Sequence, residues 1–209
     1  MVRKIWLFII PMLVFSQPSY ATDLNISAES VKPIELTQQK SQARIVALAN
    51  GSAEIVAALG FRDSLVGRDI ASTTPELENI PIVTSGHQVI PEKVISLKPK
   101  LVLIDAGVGP ASAINTIKKA RIKVVEIKQA WNLKDIYLKV DQIGSAIGQS
   151  RAADLLNTKM KVAISNARLS IDWKPKIAFL YLRGANSIYL MGGKGSGADS
   201  LIKELGGID

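Results

Sequence analysis

The sequence predicts an α/β fold of two lobes, each built on a parallel sheet and joined by one long helix. Three observations carry that expectation. Short apolar runs alternate with helix-forming segments from residue 44 to 127, near-continuous helical periodicity follows from 133 to 169, and the strand–helix rhythm restarts after Pro175. The expected organisation is a leader over 1–21, a disordered lead-in over 22–42, a first α/β lobe over 43–131, a connecting helix over 132–170 and a partial second α/β lobe over 171–209.

The elements follow in order. Residues 44–48, Arg-Ile-Val-Ala-Leu, form an apolar strand, and Asn50-Gly51-Ser52 opens a helix from Ser52 to Leu59 that Gly60 stops. Ser64 to Arg68 and Pro81 to Thr84 are the next two strands. Pro91 to Leu97 is a short helix, Lys100 to Asp105 a strongly apolar strand, Pro110 to about Arg121 a helix and Val124 to Ile127 a strand. In the long helical stretch Ile136, Val140, Ile143 and Ile147, then Leu155, Leu156, Met160 and Ile164, recur at three- and four-residue steps. Gly144, Gly148 and Gln149-Ser150 are the points where it breaks or bends. Ile177 to Leu182 and Ser187 to Leu190 are strands of the second lobe, and Asp199 to Leu205 is a helix ended by Gly206-Gly207. Two strands and one helix expose too much apolar surface to stand alone, so the second lobe reads as incomplete.

Composition narrows the class. The chain has 209 residues, 47% of them apolar, no cysteine and a formal charge of +8. Arg3-Lys4, the apolar stretch Ile5 to Phe15 and the small residues of Ser19-Tyr20-Ala21 have the form of an export signal with Thr22 as the mature start. That stretch is too short for a permanent membrane span, and no cysteine follows it to carry a thioether-linked lipid. Asp23 to Gln42 is polar and aperiodic. The lysines are scattered, which with export argues against nucleic acid as a partner.

Candidate chemistry centres on two sites. His87 is the single histidine and sits in the turn Thr84-Ser85-Gly86-His87-Gln88. Neutral imidazole is a common ligand of transition metals and haem iron, and this turn falls at the carboxyl edge of a sheet, where open α/β sheets bind ligands. The plainer reading is an exposed loop histidine. Tyr181 and Arg183 stand two apart on a strand and so share a face. A fixed guanidinium beside a phenol favours tyrosinate, a hard ligand for ferric iron. The plainer reading puts Tyr181 in the lobe core and Arg183 at the surface. With one histidine and no cysteine, structural zinc is disfavoured.

The glycine-rich loop Met191-Gly192-Gly193-Lys194-Gly195-Ser196-Gly197-Ala198-Asp199 precedes a helix and offers amides to an anion, but it matches neither phosphate-loop nor dinucleotide spacing. Enzyme signatures are thin: no Gly-x-Ser-x-Gly, no cysteine nucleophile, and carboxylates Glu54, Asp69, Glu92 and Asp105 spread without an obvious pair. Asp105, at a strand end, is the best placed of them.

The runs Arg44-Ile-Val-Ala-Leu48, Glu54-Ile-Val-Ala-Ala-Leu-Gly60, Leu65-Val-Gly-Arg-Asp69 and Ser96-Leu-Lys-Pro-Lys-Leu-Val-Leu103 resemble the substrate-binding proteins of iron-complex ABC importers. Finer segments, Pro81-Ile-Val-Thr-Ser-Gly-His87, Val108-Gly-Pro110, Tyr181-Leu-Arg-Gly184 and Gly195-Ser-Gly-Ala-Asp199, are similar to the haem-binding members of the HmuT type in the form found in actinobacteria. The resemblance implies a monomeric, exported, non-enzymatic carrier that captures ferric haem in the cleft and passes it to a permease in the inner membrane. It implies His87 and Tyr181 as the two axial ligands, Arg183 as hydrogen-bond partner of the phenol oxygen and cationic groups at the propionates, with Arg68 as a candidate. A ferric siderophore or corrinoid carrier is the alternative within the same class. A haem-dependent redox enzyme is a further one, which the lack of a second histidine disfavours.

Overall fold

A computed structural model describes residues 43–86, 88–168, 173–182 and 188–209. The first region is a four-stranded parallel sheet ordered β2-β1-β5-β6, formed by β1 (Ile45–Ala47), β2 (Leu65–Arg68), β5 (Leu101–Ile104) and β6 (Lys123–Glu126). Each central strand is apolar at consecutive positions because both of its faces are covered. Ile45, Ala47, Leu101 and Leu103 point to one face, where they pack with α1 (Ser52–Val56), Ile127 and residues of two later helices. Val46, Val102 and Ile104 point to the other and pack with Val94 of α2 (Pro91–Ser96) and Ile114 and Ile117 of α3 (Ala111–Lys119). Gly67 lets this second layer come close, since a Cβ there would meet the Leu97 side chain at 3.0 Å.

The first helix runs to the expected stop. After α1 the chain continues in helical turns through Phe61, and Gly60 takes the left-handed conformation at φ 85° that a side chain would resist. The segment 81–84 departs from expectation. It contributes one bridge, Ile82 to Arg68, and regular pairing begins with β3 (Thr84–Ser85), which forms an antiparallel hairpin with β4 (Gln88–Val89). Pro81 has no N–H to donate to a ladder, which limits what this segment can pair.

The stretch expected as one helix over 132–170 is two. α4 (Leu133–Ala146) begins at Asn132, whose side chain accepts the Asp135 N–H, and α5 (Ser150–Ala167) follows. Gly148 turns the chain at φ 73°, and Asn157 donates to the Tyr137 carbonyl (3.1 Å) and the Asp141 carboxylate (2.7 Å) across the two helices. They therefore lie antiparallel. Gly144 permits the contact, because a Cβ there would fall 2.5 Å from the Ala153 methyl and 3.1 Å from the Gln149 carbonyl. The periodicity is continuous because both helices turn an apolar stripe to the same core, Val140 and Ile143 from one, Ala153, Leu156 and Met160 from the other. α4 thus belongs with the first region, and α5 is the 18-residue helix that leads to the second.

In the second region β7 (Leu180–Leu182) pairs antiparallel with β8 (Ile188–Met191), and α6 (Gly197–Glu204) follows. The expected parallel sheet is represented among the described residues by the single bridge between Lys176 and Ile208. Only five residues separate β7 from β8; a parallel pair needs a crossover of roughly a dozen or more.

Candidate functional site

The first region's sheet changes direction between β1 and β5: β1 is followed outward by β2 on one side, and β5 by β6 on the other. A crevice opens outside the carboxyl ends of strands at such a point. A cavity of about 250 Å³ lies there, walled by Leu48 and Asn50 after β1, Asp69, Ile70 and Ala71 after β2, Asp105, Gly107 and Val108 after β5, Gln129 after β6, and Thr84 and Gly86 of the β3–β4 hairpin.

The hairpin is fastened from several sides. Val83 donates to the Arg68 carbonyl (3.0 Å), Ile90 to the Val83 carbonyl (3.0 Å) and Val89 to the Gly109 carbonyl (2.8 Å). Ser85 pairs with Gln88, and the chain turns at Gly86, which has φ 58°. Glycine takes such a left-handed φ at no steric cost. His87 itself lies outside the described residues, as does Arg183. Tyr181 lies in β7 opposite Leu190.

Arg68 is buried, 7% exposed, at the end of β2. Its guanidinium donates to the carbonyls of Leu77 (3.0 Å), Asp69 (3.3 Å) and Ser72 (2.7 Å). It therefore clamps the loop 69–77 that forms one wall of the cavity. Beside it the Ser72 hydroxyl lies between Glu54 Oε2 (3.1 Å) and Asp69 Oδ1 (2.5 Å), and Asp69 Oδ2 accepts from the Ala71 N–H (3.1 Å). Three of the four carboxylates singled out in the sequence thus gather around the cavity: Asp69 and Asp105 line it, and Glu54 joins Asp69 through Ser72. Glu92, exposed on α2, stands apart.

Behind Asn50 and Asp105 lies a residue that motif reasoning passed over. Lys139 of α4 is 5% exposed, as is Asp105. Its ammonium donates to the Asn50 carbonyl (2.7 Å) and lies 3.9 Å from Asp105 Oδ2. Asp105 in turn accepts from the Asn50 N–H (3.0 Å) and the Gly107 N–H (3.0 Å). Burial depresses the Lys139 pKa below its ordinary value, and the Asp105 charge opposes that shift. The signal was present in the periodicity, since position 139 falls on the stripe of Val140 and Ile143 where only apolar residues are expected.

The glycine-rich loop is already served by the protein's own anion. Asp199 accepts the Gly195 N–H (2.8 Å) and the Lys203 ammonium (2.9 Å), while the Ser196 hydroxyl caps α6 by accepting the Asp199 N–H. The amides expected to cradle an external anion are in part turned to this carboxylate. Among the described residues no group of three or more His, Asp or Glu side chains is arranged to hold a metal ion.

Known proteins share this architecture. A Bacillus subtilis protein described as an uncharacterized ABC transporter substrate-binding lipoprotein, YvrC, is 37% identical over 130 residues, 61% of this chain and 41% of its own length. The vitamin B12-binding protein of Vibrio vulnificus is 26% identical over 72% of this chain and 55% of its own. Among solved structures, the heme-binding protein HmuT superposes with a TM-score of 0.70 at 30% identity, covering 80% of this chain and 57% of the other. It has also been solved with a histidine, a tyrosine, or an arginine two positions after that tyrosine, replaced by alanine. The heme-binding protein RhuT of Roseiflexus sp. RS-1 superposes with a TM-score of 0.71 at 29% identity over 79% and 65% of the two chains. The chain thus spans between about two fifths and two thirds of the length of these relatives. Residues 45–209 match the periplasmic binding protein family, and the chain, an α/β protein, belongs to that family.

Proposed function

We propose that this protein captures haem outside the cytoplasm and delivers it to an ABC importer. The observation that carries the reading is the position of Gly86. The residue beside the chain's single histidine forms part of the wall of the cavity at the sheet's switch point. The sequence Tyr181-Leu182-Arg183 supplies the second half, a phenol with an arginine two positions on. The same three residue types, with the same tyrosine–arginine spacing, were the ones replaced in the solved heme-binding relative.

In this reading His87 donates an imidazole nitrogen to one axial position of ferric haem and Tyr181 a phenolate to the other. Arg183 favours the anionic phenol through its fixed positive charge. With both axial positions filled the iron has no open site for oxygen chemistry, so the protein carries haem without transforming it. Arg68 acts on the cleft through the loop 69–77 that it clamps. Release follows when the permease draws the lobes apart and one axial bond breaks.

Titration with hemin, followed optically, tests the reading. The parent protein shifts the Soret band with one-to-one saturation, His87→Ala and Tyr181→Phe each change the bound spectrum, and Arg183→Ala moves the pH at which the phenolate ligates upward. Spectra unchanged by both ligand substitutions would remove the assignment. The likeness to a vitamin B12-binding protein supports a second reading, a corrinoid cargo. Cobalamin that displaces hemin stoichiometrically, or that binds while hemin does not, would favour it.

A further inference from the structure

The indole of Trp131 is 63% exposed although the backbone that carries it is fixed. The Trp131 backbone N–H donates to Asp135 Oδ2 (3.2 Å), Asp135 also receives the Lys128 ammonium (3.1 Å), and the Lys128 backbone N–H donates to Gln142 of α4 (2.9 Å). The loop 128–132 is therefore pinned at three points to the start and middle of α4. Trp131 borders a second cavity, of about 500 Å³, together with Ala106, Lys128 and Gln129. Gln129 also lines the cavity at the switch point, so the two hollows adjoin along the carboxyl edge of the sheet. On its other side the Trp131 carbonyl lies against Gly197 at the start of α6, where a Cβ would sit 3.6 Å from it. Trp131 thus has its carbonyl against the start of α6 and borders the hollow that adjoins the switch-point cavity.

We infer that Trp131 is a cargo-contacting residue, an aromatic platform on which a planar conjugated macrocycle seats one face or edge as it enters the cleft. A large apolar side chain left open on a braced loop meets little backbone ordering cost on contact, and an offset aromatic stack adds to what area burial alone provides. This rests on the macrocycle reading above, and the experiment separates the two. Hemin is titrated into the full chain carrying Trp131→Ala, Trp131→Phe or, as an exposed control that borders neither cavity, Trp173→Ala, with melting temperatures measured alongside.

Trp131→Ala weakens hemin binding about threefold to tenfold with the Soret position and the melting temperature unchanged. Trp131→Phe recovers most of the affinity, and Trp173→Ala binds as the parent does. Equal affinity of the parent and Trp131→Ala overturns the inference and leaves the haem reading standing. An affinity loss that comes with a lowered melting temperature and is not recovered by phenylalanine overturns it too, by making Trp131 a structural brace. If the parent gives no Soret shift, the haem reading fails and the same variants are titrated with cobalamin. Equal affinities there, or no binding of either macrocycle, overturn the platform as well.

Discussion

The two regions of this chain contain similar elements and bury them very differently. In the first, every residue of β1 and β5 is buried, with one helical layer on each face of the sheet. In the second, Phe179, Leu180, Leu201 and Ile208 are all substantially exposed, and two short strands share one helix. A hairpin with a single covering helix removes far less apolar surface from water than a sheet covered twice. The same residue type should therefore matter to stability in one region and hardly at all in the other.

Leucine truncation tests that contrast most strongly. Leu103 is fully buried in β5, and Leu103→Ala should cost about 3–4 kcal/mol through lost transfer energy and the cavity left behind. Leu201 on α6 is 44% exposed, and Leu201→Ala should cost less than about 1 kcal/mol. Urea unfolding of both variants measures the pair. Equal losses would mean that α6 is packed as tightly as the central strand.

The buried cation behind Asn50 and Asp105 gives the next effect. Lys139→Met removes a charge-assisted bond to the Asn50 carbonyl and leaves Asp105 with its two backbone donors but no nearby ammonium. The expected loss is about 2–3 kcal/mol, below the usual figure for breaking a close buried pair because the two charges are 3.9 Å apart. Asp105→Asn combined with Lys139→Met should lose less than the sum of the single variants. A double-mutant cycle that adds to within about 0.5 kcal/mol would deny the coupling. The depressed Lys139 pKa also fixes a sign. The folded protein pays to keep this amine charged, so stability should rise with pH between the folded value and the ordinary lysine value of 10.5. Lys139→Met should flatten that rise.

The same contrast governs what the sequence could disclose. In the first region, β1, β5 and the helix starts were legible because each of these two strands is a continuous apolar run between turn residues. Both faces are buried, so the pattern has little ambiguity. The break between α4 and α5 was marked only as a point of breaking or bending, not as a turn that reverses the chain. Both helices turn their apolar stripe to one core, which preserves the period across the turn, and the cue was confined to Gly144 and Gly148. Lys139 was hidden by the habit of reading a lysine as surface, although its place on the stripe marked it. The convergence of Glu54, Asp69 and Asp105 depends on contacts between segments far apart in sequence, which spacing alone does not encode. In the second region the short link between β7 and β8 was the legible sign of antiparallel pairing, and the strand–helix rhythm overrode it.

The smallest effect is local to α6, and its direction is fixed by chemistry. The Lys203 ammonium, then the Gly195 N–H, hold the Asp199 carboxyl below its ordinary value of 3.8. A carboxylate with a depressed folded pKa stabilises the folded state above its unfolded value, and that contribution disappears as pH falls through the folded one. Amide exchange in α6 should therefore accelerate relative to α4 as pH is lowered from about 4, after correction for the intrinsic exchange rate. Asp199→Asn keeps the side chain's size and an oxygen acceptor for Gly195 but loses the charge facing Lys203, so its protection in α6 should be lower than the parent's above pH 4 and nearly independent of pH below it. Parallel pH profiles in the parent and the variant would show that the carboxylate's charge contributes nothing to holding α6, and would leave the second region dependent on its sparse apolar contacts alone.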